Sequence, residues 1–314
     1  MSEPPIREQN LRSRRQFAGG FVGIWTATLD PLPVPQALEI ARQIEDVGFR
    51  TLWLPGDAGR DALVAASSYL ACTERLIIGT GVASIYARDA RSVASGHRAL
   101  WELYGDRYVL GLGVSHQSFV ARRGQSFGPP ISTMTAYLDE IAHQPERRQV
   151  PESALTILGA LGPKMLNLAR AAAGGALTYN ATVEHTRRSR AALGSNSFLA
   201  VTQPAIMTDT AAEARKVARN YLRYYLQLPN YVRHFKRLGF TESDFEGNGS
   251  DHLIDELFAW GVEGIRSRVA EQLDAGADHV AINILPADPD KPPFDEWQEL
   301  RSAVDWFISQ EVSR

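Results

Sequence analysis

Leu76-Ile77-Ile78-Gly79-Thr80-Gly81, then 91–103, then Tyr108-Val109-Leu110-Gly111-Leu112-Gly113: this is a short β-branched run, a stretch of helical period, and a second short apolar run. Both short runs end in small residues. Runs of this length read as buried strands, whereas the thirteen-residue stretch between them is long enough for a helix. A strand, a helical crossover and another strand imply parallel pairing with a right-handed connection. The same rhythm extends in both directions. Strands are expected at 21–26, 51–54, 76–81, 108–113, 155–158, 176–179, 198–207 and 279–285. Helices are expected at 35–47, 61–71, 91–103, 132–143, 163–172, 183–193, 211–226, 264–275 and 294–308. Eight parallel strands, each followed by a helix, predict an α/β chain of the closed (β/α)8 TIM-barrel class. A doubly wound open sheet is the alternative.

Two segments break the rhythm. Residues 1–16 hold Arg7, Arg12, Arg14 and Arg15 without a following apolar stretch of secretory type, and are expected to be a flexible N-terminal arm. Residues 229–261, between strands seven and eight, exceed a typical connection and carry Tyr231, Phe235, Phe240, Phe245, Phe258 and Trp260. That surplus is read as a helical or irregular insertion packed over the barrel mouth like a lid. The remainder, 17–314, is expected to be one barrel domain.

The 314 residues contain 33 Lys and Arg against 36 Asp and Glu, a formal net charge of −3. A balanced chain lacks the basic footprint of a nucleic-acid binder. The longest uncharged run, 191–208, includes Gly194, Asn196, Gln203 and Pro204, which suits a buried strand with its loops better than a membrane span. The lone cysteine, Cys72, excludes an internal disulfide and a cysteine-rich metal site, in keeping with a reducing cytoplasmic setting. No metal-binding histidine spacing, no G-x-S-x-G elbow and no Cys–His pairing is seen, so metal and common hydrolase chemistry are not expected.

A barrel of this kind places its chemistry on the loops that follow the strands. After strand three come Gly81-Val82-Ala83-Ser84, after strand four Gly113-Val114-Ser115-His116, and after strand five Leu161-Gly162-Pro163-Lys164. Small residues there let backbone N–H groups approach a ligand. In the third loop, Gly162 precedes Pro163, a favoured first helical residue, and the exposed N–H groups of a helix start suit a phosphate. Lys164 adds a positive charge, although a plain tight turn uses the same Gly-Pro pair. His97 shares a helix face with Val93, Leu100 and Tyr104 and reads as a core or interface histidine.

Five stretches carry a resemblance. The stretch 99–116, ALWELYGDRYVLGLGVSH, resembles the L-x-x-L-S-G-G-R-F-x-L-G-L-G block of the bacterial luciferase-like superfamily. The stretch 161–169, LGPKMLNLA, resembles its G-P-R-M-L-x-L-A block, and Gly79–Val82, 85–89 and 183–186 match further. The set is similar to the branch of deazaflavin (coenzyme F-420)-dependent oxidoreductases.

That resemblance implies an enzyme whose barrel holds a deazaflavin at the strand ends, transferring hydride to or from a small organic substrate. It implies a cis peptide at Gly81–Val82 in a bulge against the ring, with Ala83 beside it and Ser84 at the ring edge. A serine capping the next helix is the other reading of Ser84. Trp25, ending strand one, would wall the ring or fill the core. Val114, Ser115 and His116 would lie beside the phosphate linker or the ring. His116 would then act as acid or base, or only brace the loop. Leu161, Gly162, Pro163 and Lys164 would hold the phosphodiester tail. His185, inside a matching block, would bind the tail or simply start a helix. The position where the branch carries an acid is Gly56 here, so Asp57 either takes over as the second catalytic residue or the function is missing. Gly174-Gly175 likewise replaces an Ala-Asp-Gly pattern.

Family analogy also implies a homodimer through the helices after strands two and three. The lid's aromatics imply an apolar or bulky substrate. The rival readings are an FMN-dependent monooxygenase, a non-catalytic flavin- or deazaflavin-binding barrel, and an aldolase- or isomerase-type barrel for a sugar phosphate.

Overall fold

A computed structural model describes residues 17–56, 59–143, 154–286, 288 and 291–312. In it the first half of the chain alternates β1 (Val22–Trp25), α1 (Val34–Val47), β2 (Thr51–Gly56), α2 (Ala62–Cys72), β3 (Ile77–Ser84), α3 (Ala90–Tyr104) and β4 (Tyr108–Gly113). Next come α4 (Gln117–Arg122), α5 (Pro130–Ala142), β5 (Thr156–Gly159), α6 (Pro163–Ala172), β6 (Gly175–Tyr179) and α7 (Val183–Leu193). The last part holds β7 (Phe198–Ile206), α8 (Ala211–Tyr225), α9 (Pro229–Leu238), α10 (Asp251–Leu257), β8 (Ala259–Trp260), α11 (Gly261–Asp274), β9 (His279–Ile284) and α12 (Phe294–Val312). The strands run β6-β5-β4-β3-β2-β1-β9-β7, all parallel, and the β6–β7 pairing closes the ring. This is the expected eight-stranded barrel.

Alternation along the strands builds two apolar layers, because successive side chains point to opposite faces. Val22, Ile24, Leu52, Leu54, Leu110 and Leu112 face outward into one continuous layer with the helices. Trp25, Trp53, Val109, Ile157, Leu177 and Ala281 face inward and form a separate lumen cluster. The bottom of the lumen is plugged by a polar pair within that cluster. Trp53 Nε1 donates to His279 Nε2 at 3.0 Å, and His279 Nδ1 meets the Gly20 carbonyl at 2.6 Å. This arrangement fixes His279 as a neutral tautomer with Nδ1 protonated. Helix starts are capped as local chemistry dictates: Asp61 accepts from the Leu63 and Val64 N–H groups, and Asp89 from that of Ser92.

Two details differ from the sequence expectation. Strand β3 continues through Ser84 beyond the expected end at Gly81. The Gly- and Pro-containing segment before α5 holds a short helix, α4. The segment 229–261 is mostly ordered. It contains α9, α10 and the two-residue β8, which pairs with the end of β7 as Ala205↔Ala259 and Ile206↔Trp260. With α8 it forms its own apolar cluster, in which Leu222, Phe235, Leu253, Ile254 and Leu257 are fully buried. Residues 1–16 and Asp57 lie outside the described residues.

Burial depresses the basicity of four histidines. His97, His185 and His279 are each pushed down to about 4, and His234 to about 2. An unfolded chain protonates these rings near pH 6.5, so between about 6.5 and 4 the unfolded state binds more protons than the native state. Stability therefore falls as pH falls through that window. We expect the melting temperature to drop most steeply between pH 6.5 and 4, and the slope to be shallower in His97→Leu. A melting profile that is flat over this interval contradicts the assignment.

Candidate functional site

The mouth of the barrel is organised by one extra residue in β3. Thr80 and Ala83 oppose Leu54 and Gly56 on β2, and Gly79 and Ala83 oppose Val109 and Leu112 on β4. Against both neighbours β3 therefore has one residue too many, which is a β-bulge. The peptide bond Gly81–Val82 is cis, as the resemblance implies.

The bulge leaves no room for side chains around it. A Cβ at Gly111 would sit 1.9 Å from the Thr80 carbonyl oxygen, and one at Gly56 would sit 2.3 Å from that of Val82. A Cβ at Gly113 would sit 2.3 Å from Val82 Cγ2, and one at Gly159 would sit 3.1 Å from the same atom. Val82 thus leans over the backbone at the ends of β4 and β5 while packing against the lumen cluster. Gly56 is dictated by this close approach, which accounts for the lack of an acid there.

On the other side of the mouth the inward residues are large and polar. Trp25 is buried, and its Nε1 donates to the Gly81 carbonyl at 2.8 Å. Its ring meets Tyr179 edge-on at 5.0 Å. The Tyr179 hydroxyl accepts from Tyr225 at 3.3 Å and Asn283 Nδ2 at 3.4 Å and lies 2.9 Å from that of Tyr221, whose own proton goes to Asn180 Oδ1 at 3.0 Å. Tyr225 packs against Tyr231 of α9 at 4.9 Å, and Tyr231 lies 6.0 Å from the His116 ring.

Two of the loop residues adopt positive φ without being glycine: Ser115 at 58° and Asn180 at 51°. Such backbone is uncommon and concentrates at functional sites. It lets the chain turn sharply after β4 and β6. His116 follows Ser115 and starts α4 without capping it, its ring half-buried between Phe119 at 5.8 Å and Tyr231. Ser84 Oγ accepts from the Tyr86 N–H at 3.2 Å, so it closes a turn; the cap of α3 is Asp89.

The third loop lies at the start of α6. Gly162 is its N-cap and Pro163 its first residue, with Lys164 exposed. His185 does not reach solvent; its Nε2 meets the Leu161 carbonyl at 3.0 Å and so braces this loop. The Arg237 guanidinium of α9 lies 3.5 Å from where a Gly162 Cβ would stand.

Beside the bulge is a cleft of about 180 Å³, lined by Gly56, Asp61, Ala83, Ser84, Arg88 and Arg123 among others. Arg88 grips Asp61 through two bonds, at 2.8 and 3.1 Å. Arg60, also on the cleft, donates to the Tyr69 hydroxyl at 2.9 Å and to the Leu32 carbonyl. Near it Asp30 is pushed up to about 6, burial outweighing the opposing pull of Arg60.

The structure therefore gathers Trp25, Gly81, Val82, Ala83, Ser84 and Gly113 around one bulge, with Val114, Ser115 and His116 on the next loop. Leu161, Gly162, Pro163 and Lys164 stand one strand further round. Sequence reasoning missed Tyr179, Asn283 and Asp30. All three end barrel strands or follow them, so the strand-end rule applied to β1, β6 and β9 would have found them.

A closed parallel barrel whose bulged third strand faces glycine-rich strand ends defines a class of α/β barrel with its site at the carboxyl ends of the strands. The chain matches the model of the luciferase-like monooxygenase family over residues 20–279 and belongs to that family. A Mycobacterium tuberculosis protein bearing the name coenzyme F420-dependent oxidoreductase is 32% identical over 131 residues, which are 41% of this chain and 36% of that protein. The chain thus matches only about a third of that relative's length. Among solved structures, the coenzyme F420-dependent tetrahydromethanopterin reductase of Methanopyrus kandleri superposes with a TM-score of 0.71 at 15% identity, covering 90% of this chain and 96% of that one. An FMN complex of the oxygenating constituent of 3,6-diketocamphane monooxygenase from Pseudomonas putida gives 0.65 at 12%, covering 93% and 98%. At these identities the superpositions speak for the fold.

The sterics around the bulge carry a direct consequence. Gly56→Ala must push against the β3 backbone, and overpacking of this kind costs about 1–3 kcal/mol. Chemical denaturation of Gly56→Ala is expected to show a loss of that size; wild-type stability would mean that the strands part without cost.

Proposed function

We propose that this chain is an oxidoreductase that holds a deazaflavin, coenzyme F-420, at the barrel mouth and moves a hydride between it and a small, apolar or bulky organic substrate. The observation that carries the reading is the bulge of β3 at Gly81–Val82, which seats the Val82 side chain over the side-chain-free positions Gly113 and Gly159 at the mouth. A flat ring fits against such a surface. Relatives named for coenzyme F420 support the choice of cofactor.

When bound, the deazaflavin supplies two electrons as hydride. The chain supplies the rest. Trp25, Gly81, Val82, Ala83 and Ser84 orient the ring; Gly113, Val114 and Ser115 border it; Leu161, Gly162, Pro163 and Lys164 take the phosphodiester at the start of α6. His116 holds or releases a proton at its imidazole, with Asp57 the second acid-base group. Residues 229–261 act as the lid that excludes water, Tyr231 reaching toward His116. The FMN-bound neighbour favours a second reading, an FMN-dependent monooxygenase on the same cradle.

Titrating the purified protein with coenzyme F-420 and with FMN separates the readings. Saturable binding of the deazaflavin below about 50 μM, tighter than that of FMN, is expected, and Lys164→Ala should weaken it about five-fold, the worth of an exposed charge contact near 1 kcal/mol. No deazaflavin binding at that concentration overturns the proposal. Binding without turnover of any substrate would leave a cofactor carrier.

A homodimer through α2 and α3 belongs to the same proposal. Helix α2 carries no charged residue, Val64 on it is 58% exposed, and Leu103 on α3 is 68% exposed. Light scattering should give twice the chain mass, and Val64→Glu should shift it toward the monomer; a monomeric wild type ends this part of the proposal.

A further inference from the structure

The cleft beside the bulge holds chemistry that neither the proposed ring site nor the fold accounts for. Its charged lining is three guanidinium groups, those of Arg60, Arg88 and Arg123, against the single carboxylate of Asp61. That carboxylate is already saturated. It accepts from the Leu63 and Val64 N–H groups at 3.1 and 3.0 Å and takes both bonds from Arg88. Arg88 spends only Nε and Nη2 on it, so Nη1 keeps its hydrogens.

Arg60 is held differently. Its Nη1 and Nη2 donate to neutral oxygens, the Tyr69 hydroxyl and the Leu32 carbonyl, which leaves Nε without an acceptor among the described residues. Asp30 feels the Arg60 charge without an ion pair to it. Even with Asp30 counted, three cations stand against two acids. Ser84 adds a donor. Its hydroxyl oxygen accepts from the Tyr86 N–H at 3.2 Å, its proton has no described acceptor, and the residue is only 3% exposed. A buried donor without a partner costs stability unless something meets it. The cleft therefore offers spare donors and positive charge, while its one lining acid is used up.

Part of the lining is aliphatic: Ala62 and Leu63 at the start of α2 and Val93 on α3, all buried. A phosphate carries charged oxygens in every direction and would press some of them, desolvated, against these side chains. A carboxylate on a short alkyl chain is charged at one end only, and its planar fork matches guanidinium geometry. The volume of about 180 Å³ has room for about six water-sized groups. We infer that this cleft binds a short-chain aliphatic carboxylate, its head among Arg60, Arg88 and Ser84 and its tail against Leu63 and Val93. The site shares Ser84 and Ala83 with the proposed ring site but does not rest on the oxidoreductase reading. Charge fixes the head and the aliphatic wall fixes the tail.

Butyrate, butyramide and inorganic phosphate, titrated into the whole chain at constant ionic strength and followed by NMR, test this. Butyrate should saturate with a Kd of about 5 mM, the scale open to a six-heavy-atom ligand. It should bind about ten-fold more tightly than its neutral isostere butyramide, and more tightly than phosphate. Arg60→Gln should weaken it about five-fold, the worth of one exposed charge contact. Should that variant not fold, Ala87→Phe crowds the cleft from an exposed position and should weaken butyrate without touching a charge. Equal affinity for butyrate and butyramide, tighter binding of phosphate, or an affinity unchanged in a folded variant overturns the inference. So does a titration with no sign of saturation by about 50 mM, ten times the expected Kd. Coenzyme F-420 titration of the same samples keeps the two proposals apart. A chain that binds butyrate and no deazaflavin loses the cofactor reading alone, and one that binds deazaflavin and no butyrate loses the carboxylate site alone.

Discussion

One extra residue in β3 governs the mouth of this barrel. In a closed parallel sheet the strands have no edge to relax toward, so a bulge in one strand must be absorbed by its two neighbours. Here it is absorbed by deletion of side chains. Gly56 on β2 and Gly111 and Gly113 on β4 stand where a Cβ would enter the β3 backbone or the Val82 side chain. Trp25 completes the arrangement by donating to the Gly81 carbonyl, which the bulge turns inward. Glycines that look like unrelated turn signals along the chain are one steric requirement seen from several strands.

The same constraint divides the mouth in two. From β3 to β5 the rim is backbone and the Val82 methyls; from β6 round to β1 it is Tyr179, Asn283 and Trp25, with the tyrosines of α8 and α9 packed against Tyr179 and each other through tilted and edge-on contacts. A rim of backbone covered by the Val82 methyls and a polar aromatic one face each other across the barrel axis. On the proposed reading the ring lies against the first of these.

Much of this was legible in the sequence, and the limits have physical causes. The eight strands follow from the length and β-branching of runs such as 76–81 and 108–113, because a strand buried on both faces must be apolar throughout. The three glycine loops were found because they are local. Tyr179, Tyr225 and Asn283 were not, because their meeting depends on barrel closure: the pairing β6–β7–β9 brings together residues about a hundred positions apart. The insertion was harder still. Its helices α9 and α10 are held by a cluster shared with α8 and the end of β7, so 229–261 alone carries too little pattern to show them. His185 was ambiguous for a related reason, since a helix start and a loop brace are the same position read from two elements.

Gly56 shows how a local departure changes meaning in three dimensions. Read along the chain it is a missing acid; read in the barrel it is the only residue that fits beside Ala83. Acidic groups persist on the loops around it. Asp61 is tied to Arg88 and to two N–H groups of α2, so its charge is spent on structure. Asp30 differs, because burial holds it near 6 while only Arg60 opposes the shift. A carboxyl that titrates close to neutrality can give and take a proton where a fully paired one cannot. Asp30 thus keeps a carboxyl of raised pKa on the loop after the first strand, beside Gly59 on the loop after the second.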